Sequence, residues 1–346
     1  MNPPATLMFS ASLLLGTTIT MTSNHWVMAW TGLEINTLAI IPLISKSHHP
    51  RATEAAIKYF LVQAAASALL LFSSTINAWQ TGQWDITQLN QPAASTLLTV
   101  AIAMKLGLVP FHFWFPEVLQ GSSTMTALLL STIMKLPPTI IMILVSHSLN
   151  STLITSMAIM SAALGGWMGL NQTQVRKILA FSSISHLGWM TVIMLYSPKL
   201  SLLNLCLYIV MTTATFMIIN TIKTTKLSTI MTSWAKTPTL NAALMMILLS
   251  LAGLPPLTGF LPKWLIIQEL TKQEMTSTAT AISLISLLSL FFYMRLAYYS
   301  TITLPPNSTN RMKQWHTNNQ TSTMIAALTS MSAMILPMSP MMLTLT

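Results

Sequence analysis

Six ionisable side chains stand in stretches that are otherwise apolar enough for the interior of a membrane: Glu34, Lys105, His112, Lys135, His186 and Lys263. A carboxylate, amines and imidazoles are the groups that exchange protons with one another. A charge at the centre of a membrane helix costs about 2.5–3.5 kcal/mol on insertion scales, so each group needs a partner, water or a neutral state. A lysine near a helix end can extend its charge to the interface. Lys105 and Lys135 are too central for that, which favours a functional reading. Lys263 follows Pro262 directly and could reach an interface if the helix break there is shallow. Glu34 suits a plain counter-ion, and a carboxylate that pairs with an amine also tunes how firmly that amine holds its proton. His186, flanked by Ser182, Ser183 and Ser185, fits a proton relay and a satisfied core histidine equally. His112 comes seven residues after Lys105, two turns along one face of an unbroken helix, but Pro110 intervenes.

The elements that must position these groups are unusual. Residues 104–117, MKLGLVPFHFWFPE, and 251–264, LAGLPPLTGFLPKW, share a skeleton: Gly107, Pro110 and Pro116 recur at the same spacing as Gly253, Pro256 and Pro262. Proline has no N–H to donate, so Pro110 frees the carbonyl of Leu106 and Pro256 that of Ala252. Broken helices persist at membrane depth only where the freed groups face protein or water, and in transporters such breaks mark an ion path. Pro137 and Pro138 free the carbonyls of Ile133 and Met134 in the same way, beside Lys135.

Composition limits the rest. With 6% charged residues, against roughly 25% in soluble domains, and a mean hydropathy of +0.64, the 346-residue chain reads as an all-α, polytopic membrane protein. No length remains for a nucleotide-binding module. The formal charge of +10 belongs mostly to helix ends, where cations set orientation, so nucleic acid is not an expected partner. Cys206 is the one cysteine; it makes no internal disulfide and cannot supply the four ligands an iron–sulfur cluster usually takes. His48 and His49 have no acidic or thiol company and read as loop residues. Glu117 reads as capping charge at the cation-rich end of its span. The N-terminus MNPPATLMFS has neither a basic region nor a cleavage site, so no import signal is expected. Gly165–Gly169, GGWMG, has the small-residue spacing of close helix packing and lacks the context of a phosphate loop.

Apolar runs divide the chain into about eleven spans at 3–22, 25–45, 53–78, 93–116, 124–147, 151–170, 177–196, 200–222, 239–270, 276–300 and 322–342. The ninth is too long for one straight crossing and is expected to unwind at GLPPLTG. One side collects Lys46, Arg51, Lys58, Arg176, Lys177, Lys223, Lys226, Lys236, Arg295, Arg311 and Lys313; the other holds Lys199 and Lys272. The two broken stretches fall in spans four and nine. Because five is odd, residues 1–147 and 151–300 become two inverted five-helix repeats, each with a discontinuous helix, followed by a final helix at 322–342.

The runs Lys105–Pro116 and Leu251–Lys263, with the helix that bears Glu34, resemble the antiporter-like subunits of respiratory complex I over most of the chain. Family members usually carry further spans before the point where this chain begins. The abundant Met and Thr resemble the usage of vertebrate mitochondrial genomes. The resemblance implies a proton-translocating subunit of the mitochondrial inner membrane, N-terminus in the matrix and C-terminus on the intermembrane-space side. It implies a Glu34–Lys105 pair, Lys135 in the middle and Lys263 on the exit side, with His112 and His186 as relay candidates. NADH, FMN, iron–sulfur clusters and ubiquinone would be handled by other subunits, with no cofactor in this chain. The implied partners are other membrane-arm subunits, neighbouring antiporter-like subunits among them, and bilayer phospholipid. A stand-alone cation/proton antiporter and a mainly structural spacer remain open alternatives.

Overall fold

A segment surrounded by hydrocarbon must satisfy its backbone internally, which in a chain this apolar leaves helices. The computed structural model describes residues 3–47, 49–234, 237–302, 323–334 and 336–338, and among them there is helix but no strand beyond two isolated bridges. Among the described residues eight helical stretches, with Thr124–Leu144 counted as one, are long and apolar enough to cross a membrane, and three shorter apolar ones, Pro92–Leu106, Pro238–Ala252 and Thr323–Ala333, accompany them. His48, Lys236, Arg311 and Lys313, and the end of the expected span at 322–342, lie outside the described residues.

The chain divides into two units, Met1–Ser161 and Ala162–Thr346. The first contains α1 (Pro3–Thr22), α2 (Trp26–Ile44), α3 (Pro50–Thr81), α4 (Pro92–Leu106), α5 (Trp114–Gly121), α6 (Thr124–Ser131) and α7 (Leu136–Leu144). Here α3 is central, with α2, α4 and α5 packed on it. It is longer than the expected 53–78: Pro50 opens it, the His49 ring accepts the Arg51 N–H at 3.2 Å, and Gly82 closes it in the left-handed region.

The boundary falls within α8 (Ser151–Gly169), and the second unit holds its C-terminal part, then α9 (Val175–Met194), α10 (Pro198–Ile222), α11 (Leu227–Ser233), α12 (Pro238–Ala252), α13 (Phe260–Lys272), α14 (Thr276–Ala297) and α15 (Thr323–Met334). Helix α9 is its core, 94% buried along its apolar window, so polar groups on α9 meet protein on every side. Short α11 occupies a stretch expected to be loop. The GGWMG glycines do pack closely. A Cβ on Gly165 would come within 2.8 Å of the Ser185 nitrogen on α9, and one on Gly169 within 2.9 Å of the Phe292 ring on α14.

Serines and threonines inside these helices mostly donate to a carbonyl three or four residues back, as Ser67, Ser73 and Thr99 do. That explains how so hydroxyl-rich a chain can sit in apolar surroundings. At the start of α3, Lys58 pairs with Glu54 at 2.6 Å and with Glu117 of α5 at 2.7 Å, all partly exposed. Exposed pairs contribute little. Lys58→Ala is therefore expected to leave the thermal midpoint of the purified protein almost unchanged, which a thermal-shift measurement in detergent checks.

Candidate functional site

The two look-alike stretches fold into the same broken-helix device. Helix α4 ends at Leu106 because Gly107 turns left-handed (φ 76°), and α12 ends at Ala252 because Gly253 does the same (φ 82°). Three backbone hydrogen bonds recur in the turn that follows. Leu108 and Leu254 N–H donate to Ala103 and Leu249 carbonyls, Phe111 and Leu257 N–H to Leu108 and Leu254, and Phe115 and Leu261 N–H to His112 and Thr258. Pro110 and Pro256 keep both helices from resuming, and α5 and α13 start afresh beyond them, with Pro116 and Pro262 in their first turns. A third break, which the sequence reading placed inside one continuous span, separates α6 from α7: the chain leaves helical geometry at Thr132 (φ −116°, ψ −75°), and a single tighter turn carries Lys135.

In the first unit, Lys105 lies in the last turn of α4, where the helix dipole favours a cation. It is 6% exposed and its ammonium has no hydrogen-bond partner among the described residues. Glu34 on α2 is half-buried and interacts electrostatically with Lys105, but no ion pair within 4.0 Å joins them. Lys135 is 4% exposed, its ammonium 4.6 Å from the centre of the Phe115 ring, while its own carbonyl accepts the Thr139 hydroxyl. Lys105 and Lys135 line one cavity with Asn36, Thr37, Tyr59 and Gln63, and water has room within it over about 20 Å³. A single water needs roughly 10–15 Å³ and two or more polar partners. The cavity meets both conditions.

Two residues that the sequence reading missed hold the broken end of α4. The Trp114 indole donates to the Met104 carbonyl at 3.2 Å, and the Gln63 amide donates to the Lys105 carbonyl at 3.5 Å. Trp114 stood inside the stretch that drew attention, so an indole beside freed carbonyls was the available signal. Nothing in the sequence paired Gln63 with position 105. His112 is buried in the turn with its ring 4.2 Å from that of Phe113, and because α4 has already ended, it shares no helical face with Lys105.

In the second unit, the Lys263 ammonium donates to the Ala252 carbonyl at 2.7 Å, the very carbonyl that Pro256 was expected to free. It thereby sits at the negative end of α12 although it belongs to α13, and its stem passes Gly253, whose missing side chain leaves the room. The Lys263 ammonium also lies 5.8 Å from the centre of the Trp189 ring on α9. One turn back along α9, His186 hydrogen-bonds the Tyr293 hydroxyl through Nε2 at 3.2 Å, with Tyr208 at a ring distance of 5.5 Å. Ser182, Ser183 and Ser185 donate to the carbonyls of Leu179, Ala180 and Ser182, while Ser182 and Ser183 also interact with the hydroxyls of Tyr293 and Tyr208.

Each break therefore brings an ammonium to the end of a half-helix, and no two do so in the same way. Among the described residues no group of three His, Cys, Asp or Glu side chains converges to hold a metal.

The chain is similar to several known proteins. Residues 23–289 match the model of the family described as NADH:quinone oxidoreductase/Mrp antiporter, TM, and residues 290–343 that of NADH dehydrogenase subunit 2 C-terminus. The NADH-ubiquinone oxidoreductase chain 2 of Struthio camelus is 74% identical over 343 residues, covering 99% of either chain. Among solved structures, a chain of respiratory complex I from Thermus thermophilus superposes with a TM-score of 0.83 at 24% identity, covering 96% of this chain and 79% of that one. A chain of the Mrp complex from Dietzia gives 0.76 at 20% identity, covering 85% of this chain and 60% of that one.

Proposed function

We propose that this chain, which belongs to the NADH:quinone oxidoreductase/Mrp antiporter transmembrane family, works as a proton-translocating membrane subunit of a respiratory NADH:ubiquinone oxidoreductase, complex I. The observation that carries the mechanism is the pair of buried lysines on one water-sized cavity. Within the first unit, the negative charge of Glu34 favours the protonated form of Lys105. Weakening that interaction releases a proton from Lys105 Nζ, and the cavity offers Lys135 Nζ as acceptor. Within the second unit, Lys263 Nζ on the Ala252 carbonyl holds a proton at the broken helix, with His186 as a relay and His112 as the corresponding candidate of the first unit.

The subunit performs no redox step in this reading: NADH, FMN, iron–sulfur clusters and ubiquinone belong to other subunits. The eight long helices, the three shorter ones and the matching turns at 103–115 and 249–261 support about eleven crossings arranged as two inverted repeats. The cation distribution supports a matrix-side N-terminus and a C-terminus on the intermembrane-space side of the mitochondrial inner membrane. Neighbouring antiporter-like subunits and bilayer phospholipid are the proposed partners.

Two measurements test this. The tagged chain should co-migrate with a very large assembly; migration alone would instead mark a free antiporter. In vesicles containing the assembled enzyme, Lys105→Met and Lys263→Met should each lower the protons moved per NADH oxidised. An unchanged stoichiometry would remove those residues from the mechanism, and a defect confined to assembly would make the chain a spacer.

A further inference from the structure

The hydrogen bond at His186 comes from a side chain that no motif singled out. We infer that Tyr293 is the positioning residue for His186: its hydroxyl orients the imidazole and sets which ring nitrogen carries the proton, and so where a proton enters and leaves the second unit. The inference rests on the proposed role of His186 as a relay.

The geometry is specific. Tyr293 on α14 is fully buried (0% exposed) and its oxygen lies 3.2 Å from His186 Nε2. The ring is wedged against Phe292 at 4.5 Å, and Phe292 in turn abuts the Gly169 end of α8, so the hydroxyl is delivered by packed helices rather than by a loop. A phenol can act in either sense. With the neutral Nδ1–H tautomer it donates to Nε2; with a charged ring it turns and accepts from Nε2–H. One hydroxyl thus satisfies both states between which a relay must alternate. Ser182, Ser183 and Ser185 each direct their hydroxyl hydrogen to a backbone carbonyl, and it is Tyr293 that meets Nε2.

Among the described residues, titratable groups near the ring include Tyr208, at a ring distance of 5.5 Å, and Lys263, which stands over Trp189 one helical turn from His186. An imidazole that turned freely would exchange protons with no fixed direction. Pinned at Nε2, it exchanges at Nδ1.

The test uses the assembled enzyme in vesicles, with NADH oxidation and proton delivery recorded together. Tyr293→Phe keeps the ring and removes the hydroxyl. It is expected to assemble, and to slow proton transfer through this subunit about tenfold, short of the roughly 10²-fold or more attached to a group that itself carries the proton. Tyr293→His, which can also donate and accept, should restore most of the coupling. In a His186→Gln background, Tyr293→Phe should add nothing further. Wild-type coupling in the Phe variant would overturn the inference alone, provided His186→Gln is impaired. Wild-type coupling in His186→Gln would overturn the relay reading and this inference with it. Additive losses in the double variant, failure of Tyr293→His to rescue, or failure of the Phe variant to assemble would each mark Tyr293 as packing and reject the positioning role.

Discussion

Lys135→Met is expected to yield an enzyme that assembles and oxidises NADH but has lost this subunit's share of the pumped protons. The residue is 4% exposed, in a turn between two short helices, with its ammonium over the Phe115 ring and on the cavity shared with Lys105. Methionine has nearly the same length and no charge, so it fills the space while removing the penalty of a buried ammonium, and folding should not suffer. Transfer through the site should fall by roughly 10²-fold or more, the scale attached to a positioned acid–base group. Lys135→Arg separates two explanations. Arginine keeps the charge but does not give up its proton in a protein. If proton exchange is the role, Arg fails as Met does; if only a fixed positive charge is needed, Arg retains pumping. Protons delivered per NADH in vesicles, with assembly scored on the same preparation, decide the matter. Normal coupling in the Met variant would remove Lys135 from the path.

The other large effect is structural and bears on Lys263. In the turn after α12, a Cβ added at Gly259 would sit 1.7 Å from the backbone oxygen of Ser250. No side chain can move aside to relieve that contact, because the Cβ is fixed to one stretch of main chain and the oxygen belongs to another that the break itself brings beside it. Gly259→Ala must therefore push the turn away from α12, and overpacking of this kind costs about 1–3 kcal/mol even in cores that can adjust. The expected result is strongly reduced assembled subunit, with pumping lost wherever assembly survives. Gly82→Ala supplies the contrast. Unlike Gly259, Gly82 has positive φ (71°), but nothing lies within 4 Å of its missing Cβ, so only the left-handed backbone is penalised, by about 1–2 kcal/mol. The amount of assembled subunit on native gels should rank wild type, Gly82→Ala, then Gly259→Ala; equal amounts for the two variants would refute the close-contact argument.

Much of this was legible in the order of residues. Apolar length predicted helices, because hydrocarbon offers the backbone no partner. Gly and Pro at matching positions predicted the breaks at 107 and 253, because Gly admits the left-handed backbone and Pro cannot continue a helix, whatever surrounds them. The depth of Lys105 and Lys135 followed from counting residues along a span. What depended on other parts of the chain was not legible in this way. The break before Lys135 falls at Thr132, upstream of the prolines that hinted at it.

The sequence by itself thus determined the helical class, the paired breaks and the insertion of amines into apolar surroundings, since each is a property of a short stretch and its solvent. Only tertiary structure decided which groups those amines meet. Lys263 reaches back eleven residues to the Ala252 carbonyl, Gln63 crosses from α3 to the end of α4, and Tyr293 arrives from 107 residues away to bond His186, while the adjacent serines turn to their own backbone. Such partnerships arise from which helix faces pack together, and that is set by the fit of many side chains at once rather than by the spacing of any few.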